Sequence, residues 1–132
     1  MKKSNRRTFL TAAAAAGTGV VTDAAAAPPK NQLVHHVFFW LKNPGSAADR
    51  DKLVEGVKTL AGIETIRKLH VGTLASTEKR DVVDTSWDVS ELMFFDDTAG
   101  QKVYQDHPIH QAFVKNYSHL WSKVVVYDAM EV

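Results

Sequence analysis

The sequence contains no cysteine, which excludes disulfides, thiolate metal ligands and cysteine nucleophiles. It has no internal repeat, and its one low-complexity segment is the alanine-rich stretch at residues 11–21. That stretch is too short to cross a bilayer as a helix. A domain of about 100 residues without disulfides depends for its stability on a hydrophobic core or on oligomerisation.

Residues 1–26 are predicted to be a cleaved export signal. Four basic residues lie within the first seven positions, and Ala24–Ala27 provides small residues suited to a cleavage site. The segment Asn5–Leu10, with the sequence NRRTFL, resembles the twin-arginine motif of bacterial Tat signals. We expect cleavage after Ala26, because a cut one residue later would leave a proline directly after it. The alternative is a basic, alanine-rich disordered tail.

Export by the Tat machinery would place the protein in the periplasm or outside a bacterial cell, with no stable membrane anchor after cleavage. The signal holds four of the 16 basic residues and one of the 15 acidic residues. The rest of the chain therefore has 12 basic and 14 acidic residues, a net charge of −2. A domain of mixed and slightly negative charge has no electrostatic footprint for nucleic acid or anionic lipid.

After a short linker at residues 27–32, residues 33–132 are predicted to form one domain. Its first helix should follow Ser46, a plausible N-cap, and end near Gly62. Runs rich in β-branched and aromatic residues predict four strands. These strands are expected at 33–42, at 63–76 with its clearest part at 66–75, at 85–95 and at 122–130.

A proline interrupts the second helical pattern. Pro108 removes a backbone donor and clashes with the preceding turn, so the pattern predicts two helical pieces, about 98–106 and about 108–118. His107 lies at the joint between them. Tyr104 falls in the last turn before the break and His110 in the first turn after it, so a phenol and an imidazole should meet there.

The order of elements is strand, helix, strand, strand, broken helix, strand. This is the split βαβ pattern of ferredoxin-like α+β domains, here βαββαβ with a kinked second helix. Both helices should cover one face of a four-stranded antiparallel sheet. We expect the face with His35, Val37, Phe39 and Leu41 to be the open one, and His36 to pack against a helix. An open apolar face predicts a second subunit, and hence a homodimeric α+β barrel.

From Leu33 to Asp128 the chain resembles the stress-responsive A/B barrel, or Dabb, family. Three stretches carry the resemblance: the first strand His35–Lys42 (HHVFFWLK), the element Tyr104-x-x-His107-Pro108-x-His110-x-x-Phe113, and Trp121 with the valine-rich strand that ends in Asp128. The family's fold is a dimeric α+β barrel. Its functions are diverse, and its best understood group is similar to olivetolic acid cyclase, which closes a polyketide without a cofactor.

The resemblance to that group implies Tyr104 and His110 as a catalytic acid/base pair. It implies a substrate pocket lined by His35 and Trp121, and the predicted barrel interior adds Val37 and Phe39. A histidine of the cyclases falls on Val89, so part of their polar wall is missing here. The predicted ligand is a small apolar or polyketide-like molecule, and the predicted chemistry is cyclase- or isomerase-like proton transfer.

Two other interpretations remain open at this stage. The domain could be a non-catalytic ligand-binding or stress-associated dimeric module. In that case His110 would only hydrogen-bond the backbone at the helix break, and the Tyr104 ring would only pack in the core. Six histidines also suggest a metal, but Pro108 disturbs the spacing of His107 and His110, and no His-Glu-x-x-His motif is present. We therefore predict neither a metal nor a cofactor.

Overall fold

The computed structural model describes residues 31–132, so the predicted signal peptide and most of the linker lie outside the described residues. In this part of the chain, one sheet of four strands packs against three α-helices. The elements in chain order are β1 (Leu33–Leu41), α1 (Ala47–Lys58), a 3₁₀ turn (Thr59–Gly62), β2 (Lys68–Gly72), β3 (Val89–Phe95), α2 (Thr98–Asp106), α3 (Pro108–Tyr117), a second 3₁₀ turn (Ser118–Leu120) and β4 (Trp121–Met130).

The sheet has the strand order β2-β3-β1-β4, and every neighbouring pair is antiparallel. The two sequence-adjacent strands β2 and β3 pair directly, and β1 lies between β3 and β4. In this register Val37 in the middle of β1 lies opposite Glu91 on one side and Val126 on the other. The predicted ferredoxin-like α+β fold is therefore confirmed. No helix in the described range is both long and apolar enough to cross a membrane.

The helices begin where the sequence predicts, whereas α1 ends at Lys58 and continues to Gly62 only as a 3₁₀ turn. Ser46 caps α1 by accepting a hydrogen bond from the Asp49 backbone N–H at 3.2 Å. The Asp97 carboxylate caps α2 through the Gly100 N–H at 2.7 Å. Between α2 and α3, His107 is extended (φ −65°, ψ 140°) and Pro108 occupies the first turn of α3. The predicted break at this proline is confirmed.

Two strands are shorter than predicted. Strand β2 covers residues 68–72 rather than 63–76, and β3 begins at residue 89 rather than 85. Asp84 accepts hydrogen bonds from both the backbone N–H and the hydroxyl of Ser86, which forms a local turn in place of a ladder. The indole N–H of Trp87 donates to the Asp84 carbonyl, and its ring packs on Phe38.

The prediction of which sheet face stays open is wrong. The face of β1 with His35, Val37, Phe39 and Leu41 is buried under the helices, in one core with Leu53 of α1. The uncovered face instead carries His36, which was expected to pack against a helix, together with Phe38 and Trp40. Period-two alternation separates the two faces, but it does not say which one the helices cover when both are apolar.

Candidate functional site

A cavity of about 170 Å³ lies between the helix-covered face of the sheet and helices α2 and α3. Strands β1, β3 and β4 provide its floor. Exposed valines on α3 and β4 line its outer part, at positions 114, 124 and 126. The other lining residues are His35, Val37, Phe39, Glu91, Tyr104, Gln105, His110, Phe113 and Trp121.

Most of the cavity wall is aromatic or aliphatic. The rings of Phe113 and Trp121 stack with centroids 5.5 Å apart, and the Phe39 ring lies 5.0 Å from that of Trp121. Val37 adds an aliphatic surface from the centre of β1. Such a wall excludes water and binds the apolar part of a ligand, and its few polar groups then orient the ligand.

The central polar contact joins α2 to β3. The Tyr104 hydroxyl donates to Oε1 of Glu91 at 2.9 Å, and both side chains are buried, at 2% and 1% exposure. Tyr104 reaches this position as the buried residue of α2, which packs against β3. Glu91 reaches it because β3 places Val89, Glu91, Met93 and Phe95 on the helix-covered face.

Burial alters the proton affinities of this pair. Loss of hydration raises the pKa of Glu91 from its ordinary value of 4.5 to about 7, and the Tyr104 hydrogen bond opposes that rise. Burial also raises the pKa of Tyr104 well above its ordinary value, and the neighbouring Glu91 raises it further. Tyr104 therefore remains a neutral phenol over the physiological range and acts as a hydrogen-bond donor rather than a base.

His110 lies beside this pair, in the first turn of α3. Its ring centroid is 4.6 Å from that of Tyr104, and the side chain is partly buried. Burial lowers the pKa of His110, a hydrogen bond with the backbone of Gln105 opposes this change, and His35 lowers the pKa further. His110 is therefore a neutral imidazole near pH 7, which is the form that accepts a proton.

A second imidazole enters the cavity from β1. His35 is 4% exposed, and its ring packs edge-on against Tyr104 with centroids 5.4 Å apart. Its Nδ1 contacts Oδ1 of Asp128 on β4 at 2.5 Å. A carboxylate on Nδ1 fixes the tautomer and orientation of the ring and leaves Nε2 as the other hydrogen-bonding atom.

His107 faces away from this cluster. Its Nδ1 accepts the Ile109 backbone N–H at 3.1 Å, which makes His107 the N-cap of α3. Its Nε2 lies 3.3 Å from the Glu64 carboxylate. His107, predicted to lie at the joint between the two helical pieces, therefore stabilises the helix break by capping α3.

The structure brings together the six residues predicted for the site, namely Tyr104, His110, His35, Val37, Phe39 and Trp121. They line a cavity within one subunit, beneath its helices, and not a space between two sheets as the predicted faces implied. Within residues 31–132 no hydrogen bond links Tyr104 to His110, because the phenol donates to Glu91. The same range contains no group of three or more side chains suited to hold a metal ion.

The sequence analysis assigned no role to two residues of the site, Glu91 and Asp128. Glu91 supplies a polar group two residues after Val89, the position where the cyclase histidine is absent, and Asp128 orients His35. The signal for Glu91 was present, since an acidic residue on an otherwise apolar strand face is costly to bury without a partner or a purpose. The partner itself depends on the register of the sheet.

Comparison with known proteins agrees with this fold. Residues 33–131 match the model of the stress-responsive A/B barrel domain family, Dabb. A Dabb-family protein of ferredoxin-like fold from Mesorhizobium loti is 24% identical, with a TM-score of 0.64 over 78% of this chain and 99% of that one. A dimeric protein of unknown function from Bacteroides fragilis is 22% identical, with a TM-score of 0.60 over 76% of this chain and 96% of that one.

The hydroxynitrile lyase of Passiflora edulis is also similar, at 20% identity and a TM-score of 0.63, over 80% of this chain and 96% of that one. No curated protein matches the chain. These identities are low, so the solved structures establish the fold alone. The family model, in contrast, matches about three quarters of the sequence. The chain therefore belongs to the stress-responsive A/B barrel domain family.

Proposed function

We propose that the protein binds a small, largely apolar carbonyl compound in this cavity and transfers a proton to and from it without a cofactor. The observation that carries the proposal is the convergence of Glu91, Tyr104 and His110 on one water-poor cavity. A neutral base, a phenolic donor and a protonatable acid are the groups that enolisation of a carbonyl compound requires.

The roles follow from the protonation states. Neutral His110 accepts a proton from the carbon next to the carbonyl group. Tyr104 donates a hydrogen bond to the oxygen on which negative charge develops. The hydroxynitrile lyase among the structural neighbours is one example of an enzyme built on this fold.

The size of the cavity limits the ligand. A buried cavity of about 150 Å³ holds a benzene molecule, so about 170 Å³ suits one six-membered ring with a small substituent. A longer, polyketide-like chain would have to extend outward past the exposed Val114 and Val126. We therefore place the reacting carbonyl group against Tyr104 and any chain toward this valine-lined mouth.

Binding without catalysis is the second candidate, and one observation favours it. The Tyr104 proton is already directed to Glu91 instead of to a position between Tyr104 and His110. In a purely binding protein, this hydrogen bond would serve only to satisfy two buried polar groups.

The protein is further proposed to act as a homodimer. The uncovered sheet face carries Phe38 and Trp40 with Trp87 and Tyr127 beside them, and an apolar face of this extent is usually covered. Similar proteins from Bacteroides fragilis and Thermobifida fusca are described as dimeric. A second copy packed on this face would leave the cavity under the helices open to ligand.

Export through the Tat machinery to the periplasm or the medium is proposed from the twin-arginine motif alone, since residues 1–26 lie outside the described range. Intact-mass measurement of exported protein tests it. A mature chain that begins at Ala27 is expected, and one that still begins at Met1 would refute it.

Deuterium exchange into cyclohexanone tests catalysis before the natural substrate is known. The protein is incubated with this six-membered ketone in D₂O, and loss of the α-proton signal is followed by NMR. His110→Ala should slow the exchange by ~10²–10⁴-fold, as removal of a general base does. His119→Ala, which alters an exposed histidine outside the cavity, serves as the matched control. Equal rates in the wild type and in His110→Ala would refute proton transfer by His110.

A further inference from the structure

Glu91 is the least expected group in the core. It lies at the centre of β3, 1% exposed, between Val37 of β1 and Val71 of β2 in the register of the sheet. Within the described residues its carboxyl makes one hydrogen bond, to the Tyr104 hydroxyl. An ionised carboxylate with a single neutral partner is poorly stabilised at such depth, so folding favours the protonated acid.

We propose that Glu91 is the proton donor behind Tyr104, and that the two together select ligands whose carbonyl or enolate oxygen accepts a proton. This inference rests on the cavity and on the acid/base chemistry of the proposed function. It gives Glu91 a role that Tyr104 cannot fill alone, because a phenol that donates its proton needs another proton to replace it.

The proposed step balances as a relay. The C–H bond next to the carbonyl breaks and its proton passes to His110, which becomes an imidazolium. The phenolic O–H of Tyr104 breaks as its proton moves to the ligand oxygen, and the Glu91 proton moves to the Tyr104 oxygen. The products are a neutral enol, a neutral phenol, an imidazolium and the Glu91 carboxylate. The 2.9 Å contact between Tyr104 and Glu91 suits donation in either direction once the carboxyl is protonated.

The surroundings of Glu91 identify which other groups titrate near it. The helix-covered face presents apolar residues from β2 and α1, including Val71 and Leu53. The titratable groups that face it are His35 from β1, Tyr104 from α2, His110 from α3 and Asp128 from β4. Tyr104 does not ionise in the working range, whereas the pKa of Glu91 is raised to about 7.

Ionisation of Glu91 should weaken ligand binding. Above its pKa of about 7, the carboxylate keeps the Tyr104 proton and repels the ligand oxygen. If only the protonated form binds a carbonyl compound, the apparent affinity falls about tenfold between pH 6 and pH 8, in proportion to the protonated fraction. An apolar ligand of the same size, which needs no donor, should show no such change.

The first test measures binding of cyclohexanone and of cyclohexene by NMR chemical-shift titration at pH 6 and pH 8. The wild type is expected to bind cyclohexanone about tenfold more weakly at pH 8 and to bind cyclohexene equally at both pH values. In Glu91→Gln the affinity for cyclohexanone should be independent of pH. The inference is overturned if the wild type does not bind cyclohexanone, if its affinity does not change with pH, if cyclohexene shows the same change, or if Glu91→Gln retains it.

The second test needs no altered Glu91. The side-chain carboxyl carbon of Glu91 is followed by ¹³C NMR between pH 4 and pH 9 in the wild type and in Tyr104→Phe. The wild type should titrate near pH 7. Removal of the phenol, whose hydrogen bond stabilises the carboxylate, should move that titration to higher pH. Tyr117→Phe is the control and should not move it, because Tyr117 stacks on Phe113 and does not line the cavity. A titration below pH 5.5, or one that Tyr104→Phe leaves in place, would overturn the inference.

The outcomes separate this inference from the proposed function. Cyclohexanone binding with the expected pH dependence but without deuterium exchange would refute catalysis and leave the Glu91–Tyr104 donor pair intact. Exchange that depends on His110 but not on Glu91 or on pH near 7 would support the proposed function and overturn the relay.

Discussion

The stability of the folded protein should fall between pH 4.5 and pH 7 because of Glu91. Its pKa is raised from 4.5 to about 7 in the folded state, so the fold holds a proton over a range in which the unfolded chain has released it. The contribution of this group is complete below pH 4.5, decreases as the pH rises through this range, and is lost above about pH 7. Each factor of ten in proton affinity is about 1.4 kcal/mol, so the loss amounts to roughly 3 kcal/mol.

Urea unfolding of the wild type and of Glu91→Gln at half-unit steps from pH 4 to pH 8 measures this effect. Glutamine is neutral throughout and its oxygen still accepts the Tyr104 proton, so the variant lacks the titration while it keeps the contact. The difference in unfolding free energy between the two proteins should change by roughly 3 kcal/mol over the range. Glu55→Gln, at an exposed position on α1, controls for the loss of one acidic residue.

Two parallel stability profiles would refute the reasoning. That result would mean that water or a cation stabilises the Glu91 carboxylate in the folded state, so that burial does not hold it protonated. If Glu91→Gln fails to fold, Glu91→Leu replaces it, since an apolar side chain suits the surrounding core and is likewise neutral.

Three further predictions concern folding and assembly. Phe38→Asp on the uncovered sheet face should give a folded monomer, whereas Val37→Asp in the core should unfold the chain. Sedimentation velocity with circular dichroism distinguishes the two outcomes. A folded monomer for Val37→Asp and an unfolded chain for Phe38→Asp would instead support the face assignment predicted from the sequence. His107→Ala should lower the unfolding free energy by about 1 kcal/mol through loss of the α3 N-cap, as measured by urea titration, and no change would show that the cap is dispensable. Gly56→Ala should cost about 1–3 kcal/mol in thermal unfolding, because its Cβ would lie 2.6 Å from the Tyr117 ring, and an unchanged melting temperature would mean that this helix contact yields freely.

The contrast between Val37 and Phe38 also shows where sequence reasoning stopped. Alternation along the first strand separates the side chains correctly into two sets, since every second residue from Leu33 to Leu41 is buried. Both sets are apolar or aromatic. The choice between them therefore depended on which set α1 and α3 cover, and a helix makes that choice through packing with residues far away in the chain.

Local signals were more informative for the helices. Pro108 lacks a backbone donor, and Ser46 and Asp97 carry short polar side chains that accept backbone N–H groups. These effects act within a few residues, so they operate in the same way in any fold. These local signals therefore predicted the helix break and, with it, the proximity of Tyr104 and His110.

The sequence by itself determined the order of the elements and the helix break, because these follow from covalent geometry and periodicity. Six residues of the cavity lining followed from the resemblance to the family and from the predicted barrel interior, whereas Glu91 did not. Tertiary structure alone decided that the cavity lies beneath the helices of one subunit. It also decided the two polar pairs of the site, Tyr104 with Glu91 and His35 with Asp128, which lie 13 and 93 residues apart. Each pair exists only because strand register and helix packing bring its members within hydrogen-bonding distance, and burial then sets the proton affinity of Glu91.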